Sequence, residues 1–288
     1  MDKIAIIGNG PAGISAAIYA VRAGAEAIVL GSGDSALLKA EKIENYYGFP
    51  EAISGKELFD RGIKQAKRVG VELIEEEVVG IGYTTGLEVI AEKGKYDAGA
   101  IVIATGSPRI TPKIEGIEKY EGKGVSYCAV CDGFFFKGLE VAIVGNGKYA
   151  LHEAMELTPV AKKVSILTDG LEPEAEIPED IEIDKRKIRK LYGSNDVLNG
   201  VMFEDGENKD LSGLFIAVGT AGSADLAKKI GAATDGIKII VDENMATNVP
   251  GLFAAGDCIG GLKQISSSVY EGALAGLNAV KYVKENGK

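Results

Sequence analysis

Short runs of β-branched and small apolar residues, each ended by glycine, recur along the chain. Lys3-Ile-Ala-Ile-Ile7 runs into Gly8-Asn-Gly10-Pro11-Ala12-Gly13, and Ile14 to Ala23 then reads with helical spacing. Glu140-Val-Ala-Ile-Val144 runs into Gly145-Asn-Gly147-Lys148-Tyr149-Ala150, and Leu151 to Leu157 again reads as helix. Each copy predicts a buried parallel strand, a glycine turn and a helix. Further strands are predicted at 27–30, 100–106, 163–167, 213–219 and 251–257, and a last helix from about Ser266 to Lys284.

The two copies predict a duplicated nucleotide-binding unit rather than a solenoid. The strand at 100–106 closes the first copy and the one at 213–219 closes the second. The strand at 251–257 has no unit after it, so the chain is expected to return and complete the first domain. The expected architecture is α/β, with two Rossmann-like three-layer domains, the second inserted in the first. The first is residues 1–112 with 240–288 and the second is residues 113–239. Crossings are expected at Ile110–Lys113 and between Gly236 and Asp242.

Composition sharpens this picture in three ways. The 39 glycines among 288 residues are nearly twice the usual ~7%, and they stand beside apolar runs without a collagen period. A net charge of −10 argues against a nucleic-acid partner. No apolar run approaches the ~18 residues of a membrane span, and the chain opens on a strand rather than a leader, so a cytoplasmic protein is expected. Three cysteines are too few for a disulfide scaffold and enough for one redox pair.

Gly8, Gly10 and Gly13 form G-x-G-x-x-G after a strand and at the start of a helix. The first glycine permits the turn, the second leaves backbone open to a pyrophosphate, and the third lets helix and strand pack closely. The helix N-terminus offers free N–H groups to phosphates. An acidic residue that would hold ribose hydroxyls is missing from the end of the second strand, and Asp34 arrives late, where a solvated loop aspartate is an equal reading. Asp257, after Gly256 at a strand end, can accept a hydrogen bond from a ribityl hydroxyl. Lys263-Gln264-Ile265 leads into the last helix, whose N-terminus can stabilise negative charge.

Tyr127-Cys128-Ala-Val-Cys131-Asp132-Gly133 is the most informative segment. Cys-x-x-Cys can close a small reducible disulfide and lowers the pKa of one thiol. Asp132 follows at once and can exchange protons with it. Zinc is the competing reading, but it needs two more ligands, and only Cys258 and His152 remain. An inert buried pair is the third reading, and Cys258 reads as a small core residue.

Cys128-Ala-Val-Cys131-Asp132-Gly-Phe-Phe, set between two glycine-turn units and followed by Phe253-Ala-Ala-Gly256-Asp257, resembles the low-molecular-weight, FAD-containing thioredoxin reductases. Ile103-Ala104-Thr105-Gly106, Glu44-Asn45 and Gln264-Ile265 support the resemblance, which covers nearly the whole chain. It implies a homodimer that reduces thioredoxin, with FAD in the first domain and the redox disulfide on the second. It also implies that Cys131 faces the flavin, Cys128 attacks the thioredoxin disulfide, and Asp132 is the acid/base. Gly8, Gly10, Gly13, Asn45, Asp257, Gln264 and Ile265 fall at FAD-contacting positions. Pro11, Ala12, Ala104, Thr105, Gly106 and Gly256 complete the set.

The second unit departs from that family. Its turn carries Lys148-Tyr149 where the family has two small residues. The strand at 163–167 leads into Thr168-Asp169-Gly-Leu-Glu172-Pro-Glu174 instead of the arginines that grip a 2′-phosphate. Carboxylates there repel that phosphate, so NADPH specificity looks lost. Three electron sources stay open. Asp169, near the ~20-residue offset from Gly145, can hold the ribose of NADH. A retained but empty nucleotide fold, with electrons from reduced ferredoxin, resembles the ferredoxin-dependent flavin thioredoxin reductases and is the favoured reading. NADPH with unusual contacts is the third.

Lys185-Arg186-Lys187-Ile188-Arg189-Lys190 is the densest basic run, read either as a ferredoxin-docking patch or as an ordinary solvated segment. Tyr46-Tyr47 can flank a flavin or simply pack. Two readings of other kinds remain, a non-catalytic redox sensor and a flavoprotein passing electrons from ferredoxin to a nicotinamide. The intact cysteine pair favours the disulfide reductase.

Overall fold

The structure, a computed structural model, describes residues 3–33, 35–84, 86–106 and 111–286. The chain begins with β1 (Lys3–Ile7), α1 (Pro11–Arg22), β2 (Glu26–Leu30), α2 (Gly55–Arg68) and β3 (Glu72–Ile74). β4 (Val78–Tyr83), β5 (Leu87–Ala91), β6 (Lys95–Ala98) and β7 (Ala100–Ile103) follow. Then come α3 (Ile117–Tyr120), β8 (Val125–Ser126), α4 (Ala129–Asp132), β9 (Glu140–Val144), α5 (Lys148–Leu157), β10 (Lys163–Leu167) and β11 (Glu182–Asp184). β12 (Ile188–Ser194), β13 (Val197–Phe203), β14 (Asn208–Asp210) and β15 (Gly213–Ile216) continue the chain. It ends with α6 (Ser223–Lys228), β16 (Thr234–Asp235), β17 (Lys238–Ile239), β18 (Leu252–Ala254) and α7 (Ile265–Asn286).

Two compact units result, Met1–Pro108 with Gly222–Lys288 and Arg109–Ala221. The first holds a five-stranded parallel sheet in the order β18-β7-β1-β2-β3 and an antiparallel β4-β5-β6 sheet. Its core lies between the parallel sheet and the helices α1 and α7, around Ile4, Ile6, Ala16, Val29, Val102, Ala275 and Ala279. Gly272 and Gly276 make this packing possible. A Cβ on either would lie 2.1 or 2.3 Å from the backbone oxygen of Ala12 or Ala16, so only glycine brings α7 this close to α1.

The second unit repeats the plan with β11-β10-β9-β15-β8, all parallel, and an antiparallel β12-β13-β14 sheet. Its core gathers Val125, Ala142, Val144, Leu167, Phe203, Leu214 and Ile216. In each unit the fifth strand comes from outside the consecutive run. β18 arrives after the insertion, and β8 precedes the glycine-turn strand β9.

The α/β architecture of two Rossmann-like units is as the sequence predicts. The return crossing is not where the glycine pattern put it. Residues 222–239 belong to the first unit. Leu226 and Ala227 of α6 are buried, Lys229 Nζ donates to Val79 O at 3.0 Å, and the Ala233 amide donates to Asn248 Oδ1 at 2.6 Å. Of the outward crossing, Ile110 lies outside the described residues, as does Asp34. No helix among the described residues is long and apolar enough to cross a membrane.

Candidate active site

In the first unit, the turn after β1 sits at the carboxyl edge of the parallel sheet, where open α/β sheets bind ligands. Its glycines divide by physical role. Gly8 has φ +108, and a Cβ there would lie 2.3 Å from Ala104 O. A Cβ on Gly13 would lie 1.8 Å from Gly8 O. The fold itself demands both. Gly10, the N-cap of α1, has φ −73, and the nearest atom to a Cβ there is Ser35 Oγ at 3.4 Å. The protein's own packing does not require a glycine at that position. Bare backbone at a helix N-terminus without a side-chain cap is what a pyrophosphate needs.

The other candidate contacts converge on the same edge. The Ala104 amide donates to Ile7 O at 2.8 Å, Thr105 Oγ1 lies 2.7 Å from Ser223 Oγ, and Gly106 turns with φ +74. Pro11 and Ala12 form the first turn of α1. Asn45 Nδ2 donates to Gln264 Oε1 at 2.9 Å, and Ile265 opens α7. Gly256 has φ +84, and its amide donates to Glu271 Oε2 at 2.9 Å. Asp257 is half-buried, and among the described residues its carboxylate has no partner. The open backbone at Gly10, the free carboxylate and the exposed amide pair fit a dinucleotide with a hydroxylated linker, as FAD has. Tyr46 stacks on Phe49 with ring centroids 6.0 Å apart, whereas Tyr47 is 99% exposed.

The second unit carries a Cys128–Cys131 disulfide with Cα atoms 5.3 Å apart. Cys128 is the N-cap of α4, and its Sγ accepts the Cys131 amide at 3.2 Å. Two further groups order this turn. Ser126 Oγ accepts the Cys128 amide at 3.2 Å and donates to Asp132 Oδ2 at 2.6 Å. Glu153, on α5 and only 1% exposed, accepts the Ala129 amide at 2.7 Å. Sequence reasoning missed Ser126, Glu153 and Glu271. Gly133 is buried, and a Cβ there would meet Leu157 Cδ2 at 2.9 Å, which explains how the cysteine turn seats on α5.

Cys128 is 4% exposed, and Cys131 is exposed. Beside Cys131, Val130, Phe134 and Phe135 also face solvent, the two phenylalanines at 74% and 75%. Phe136 anchors this segment edge-on against Phe215 at 5.3 Å. Cys258 is elsewhere, in the first unit, donating to Ala255 O, and burial pushes its thiol up to about 12. Among the described residues no three His, Cys, Asp or Glu side chains gather as a metal site.

The second glycine turn copies the first in backbone and differs in surroundings. A Cβ on Gly145 would lie 2.2 Å from Ala217 O, as one on Gly8 would from Ala104 O. Here, however, the segment after β10 folds onto the turn. The Glu174 amide donates to Asn146 O at 2.7 Å, and Asn146 Nδ2 donates to Glu172 O at 3.0 Å. A Cβ on Gly147 would lie 3.7 Å from Glu174 Oε2. Asp169, in the left-handed region with φ +52, accepts the Ile188 amide at 2.7 Å. Tyr149 does not crowd the turn. It is 1% exposed and points its hydroxyl toward Tyr127 O at 3.4 Å.

The basic run is largely neutralised. Lys185 pairs with Glu172 at 2.5 Å, and Lys187 with Glu204 at 3.0 Å. Arg186 pairs with Asp184 at 2.7 Å and with Asp205 at 3.6 Å. The Arg186 guanidinium holds the Asp184 carboxyl below its ordinary range, and Glu204 raises Lys187. His152 lies 4.0 Å from Glu156 on the same helix.

Comparison with known proteins agrees with this geometry. The sequence model of the pyridine nucleotide-disulphide oxidoreductase family matches residues 2–272. A thioredoxin reductase of Listeria monocytogenes is 37% identical over 303 residues, covering 98% of this chain and 94% of that protein. The crystal structure of the atypical thioredoxin reductase TRi from Desulfovibrio vulgaris Hildenborough has a TM-score of 0.93 and 42% identity, covering 100% of this chain and 99% of that one. A ferredoxin-flavin thioredoxin reductase from Clostridium acetobutylicum has a TM-score of 0.72 and 32% identity, covering 99% and 98%. Similarity of this extent, in a chain with the same glycine cradle and cysteine pair, makes the protein a member of the pyridine nucleotide-disulphide oxidoreductases, in the FAD-binding thioredoxin reductase family.

Proposed function

We propose that this flavoprotein reduces the disulfide of a thioredoxin through Cys128 and Cys131, with electrons from reduced ferredoxin rather than from a nicotinamide. The observation that carries the choice of donor is the engagement of the second glycine turn by its own chain. Asn146 is bonded on both sides by the 172–174 segment, and the Glu174 carboxylate lies beside Gly147, where a pyrophosphate would need to sit. A carboxylate repels that group. Asp169, the residue suited to an NADH ribose, is held by the Ile188 amide. Among the similar structures, two from Clostridium acetobutylicum are described as a ferredoxin-flavin thioredoxin reductase.

The energetics are favourable. A plant-type ferredoxin near −400 mV and a thioredoxin near −270 mV differ by ~130 mV, or roughly 6 kcal/mol for two electrons. FAD, when bound, supplies the chemistry that joins one-electron donors to a two-electron acceptor. On this reading Gly10 and the first turn of α1 hold its pyrophosphate, Asp257 accepts from its ribityl chain, and Asn45, Thr105 and Gln264 orient it.

Two electrons and two protons convert the Cys128–Cys131 disulfide to a dithiol. On the pattern that the resemblance implies, Cys131 faces the flavin and Cys128 attacks the partner disulfide, with Val130, Phe134 and Phe135 as exposed apolar surface beside the pair. The S–S bond of the partner breaks, a mixed disulfide forms, and one partner thiolate leaves. Cys131 then attacks Cys128 Sγ, restoring the internal disulfide and releasing the second partner thiolate. Asp132, held by Ser126, donates and retrieves the proton at the cysteine sulfur. A homodimer belongs to the same reading. Tyr270 and Leu277 leave apolar side chains exposed along α7, and sedimentation velocity tests the assembly.

The deciding experiment is anaerobic bleaching of the flavin band near ~450 nm by ferredoxin, NADH or NADPH in separate cuvettes. Rapid bleaching by ferredoxin alone is expected. Rapid bleaching by either nicotinamide overturns the donor assignment. Cys131→Ser is expected to trap a mixed disulfide with thioredoxin through Cys128, and Cys128→Ser to trap none. If both variants support full turnover, the pair is not the conduit, and a regulatory disulfide is the better reading.

A further inference from the structure

Ser126 is the last residue of β8, buried and in register with Phe215 of β15. Its hydroxyl meets both ends of the cysteine turn. Oγ accepts the Cys128 amide at 3.2 Å and donates to Asp132 Oδ2 at 2.6 Å. A hydroxyl has one proton to give. With the Cys128 amide on a lone pair, that proton is directed to Asp132. Among the described residues, Asp132 Oδ1 has no partner. One oxygen of the carboxyl is therefore anchored, and the other is left open.

The anchor matters because α4 cannot supply it. That helix has four residues, too few to be stable alone. The Asp132 amide donates to Cys128 O at 3.1 Å, which sets the two residues one helical turn apart but leaves the carboxyl free to rotate. Ser126 stops that rotation from a strand seated in the parallel sheet. It places the carboxyl two hydrogen bonds from the Cys128 backbone nitrogen. We propose that Ser126 is a positioning residue for proton exchange, holding Asp132 Oδ2 so that Oδ1 serves the Cys128 thiol. In the step it supports, the thiol proton passes to the Asp132 carboxyl as Cys128 Sγ bonds to the partner disulfide. The partner S–S bond breaks, and its electron pair leaves on the departing sulfur. This inference rests on the reading of Asp132 as the acid/base, and it adds a residue that lies outside the cysteine motif.

The test uses the full-length, FAD-loaded protein, reduced anaerobically with dithionite and then mixed with oxidised thioredoxin. The thioredoxin dithiol formed in a single turnover is quenched in acid, alkylated and read by mass. The parent, Ser126→Ala, Asp132→Asn and the double variant form a double-mutant cycle. Ser126→Ala is expected to be about tenfold slower than the parent, as a misplaced reacting group is. In the Asp132→Asn background the same change is expected to cost less than about threefold, because no acid remains to position. Ser126→Thr keeps the hydroxyl and is expected to stay within about threefold of the parent. Equal losses from Ser126→Ala in both backgrounds, or a loss below about threefold in the parent background, overturn the proposal.

If Ser126→Ala does not fold or load FAD, Asp132→Glu keeps both the acid and Ser126 but moves the carboxyl by one methylene. It is expected to lose about tenfold, and a loss below about threefold overturns the proposal, since position would then not matter. Chemical reduction frees the assay from the physiological donor. A full rate in Asp132→Asn would remove the acid/base reading, and this inference with it. A slow Asp132→Asn with additive losses from Ser126→Ala would remove this inference alone.

Discussion

The backbone amide of Gly256 donates to Oε2 of Glu271, joining the loop after β18 to the second turn of α7. A Cβ on Gly256 would lie 3.0 Å from Ala12 Cβ, so this bond is made where loop, α1 and α7 meet. Removing the acceptor leaves the Gly256 amide without it, at a cost of about 1–3 kcal/mol. Glu271→Ala is therefore expected to weaken FAD binding roughly 5- to 150-fold. Glu271→Gln, which retains an acceptor, should stay close to the parent. Fluorescence of released flavin on dilution measures both.

The same glutamate gives a pH dependence with a definite sign. Burial raises Glu271 above its ordinary value of 4.5. Folding then favours its protonated form. The contribution of this group is complete below pH 4.5 and is lost as pH rises through the folded value. Glu271→Gln has nothing to ionise and lacks that decline. Urea midpoints of parent and variant should diverge, in favour of the variant, as pH is raised through this window.

The two glycine roles in the first turn separate under substitution. Gly13→Ala places a Cβ 1.8 Å from Gly8 O, and the helix must shift off the strand. A loss above about 3 kcal/mol is expected, seen as insoluble or unfolded protein. Gly10→Ala meets only Ser35 Oγ at 3.4 Å and needs no unusual backbone. It should fold with a nearly unchanged circular dichroism melt and lose at least about tenfold in FAD affinity, or 1.4 kcal/mol.

Asp169 Oδ1 accepts the Ile188 amide. Asp169→Ala removes the acceptor for the Ile188 amide and leaves alanine at φ +52, at a cost of roughly 1–3 kcal/mol. Asp169→Asn keeps the acceptor and tolerates that backbone. Both should leave ferredoxin-driven turnover unchanged. A raised KM for NADH in the asparagine variant would instead show that the residue holds a nucleotide.

Acid stability of the second unit should follow Asp184. Arg186, which also lies 3.9 Å over the Phe203 ring, holds its carboxyl below the ordinary 3.8. This contribution is present above pH 3.8 and is lost as pH falls through the folded value. Asp184→Asn should cost about 1–2 kcal/mol at pH 7, after screening of the half-exposed arginine. The difference should vanish by about pH 2 in urea titrations followed by circular dichroism.

The strands and glycine turns were legible because backbone geometry dictates them. Nothing but glycine fits at positions 8 and 13, and parallel strands buried on both faces read as continuous apolar runs. The return crossing was not legible. α6 has six residues, and its place is fixed by bonds such as Lys229 to Val79 that no local pattern records. Asp169 stands at a spacing from Gly145 that suits a ribose, and its bond to the Ile188 amide is one that no local pattern records. Tyr149 looked obstructive by size and proved to be core. Glu153 did leave a trace in the sequence. It interrupts the buried stripe of Ala150, Ala154 and Leu157 on α5, where a carboxylate has no place unless it serves a partner.

The glycine seam between α1 and α7 has a consequence for synthesis. β1, β2, β3 and β7 leave the ribosome before the inserted unit, but β18, which completes their sheet, and α7, which covers α1, leave after it. The inserted residues are contiguous and can close their own core at once. Those already made on either side of α1 must wait, apolar and open, for Gly272 and Gly276 to arrive. Assembly is therefore expected to start in the middle of the chain. A stop after residue 221 would leave a foldable insert attached to a half that cannot close, which is the material chaperones and proteases are built to find.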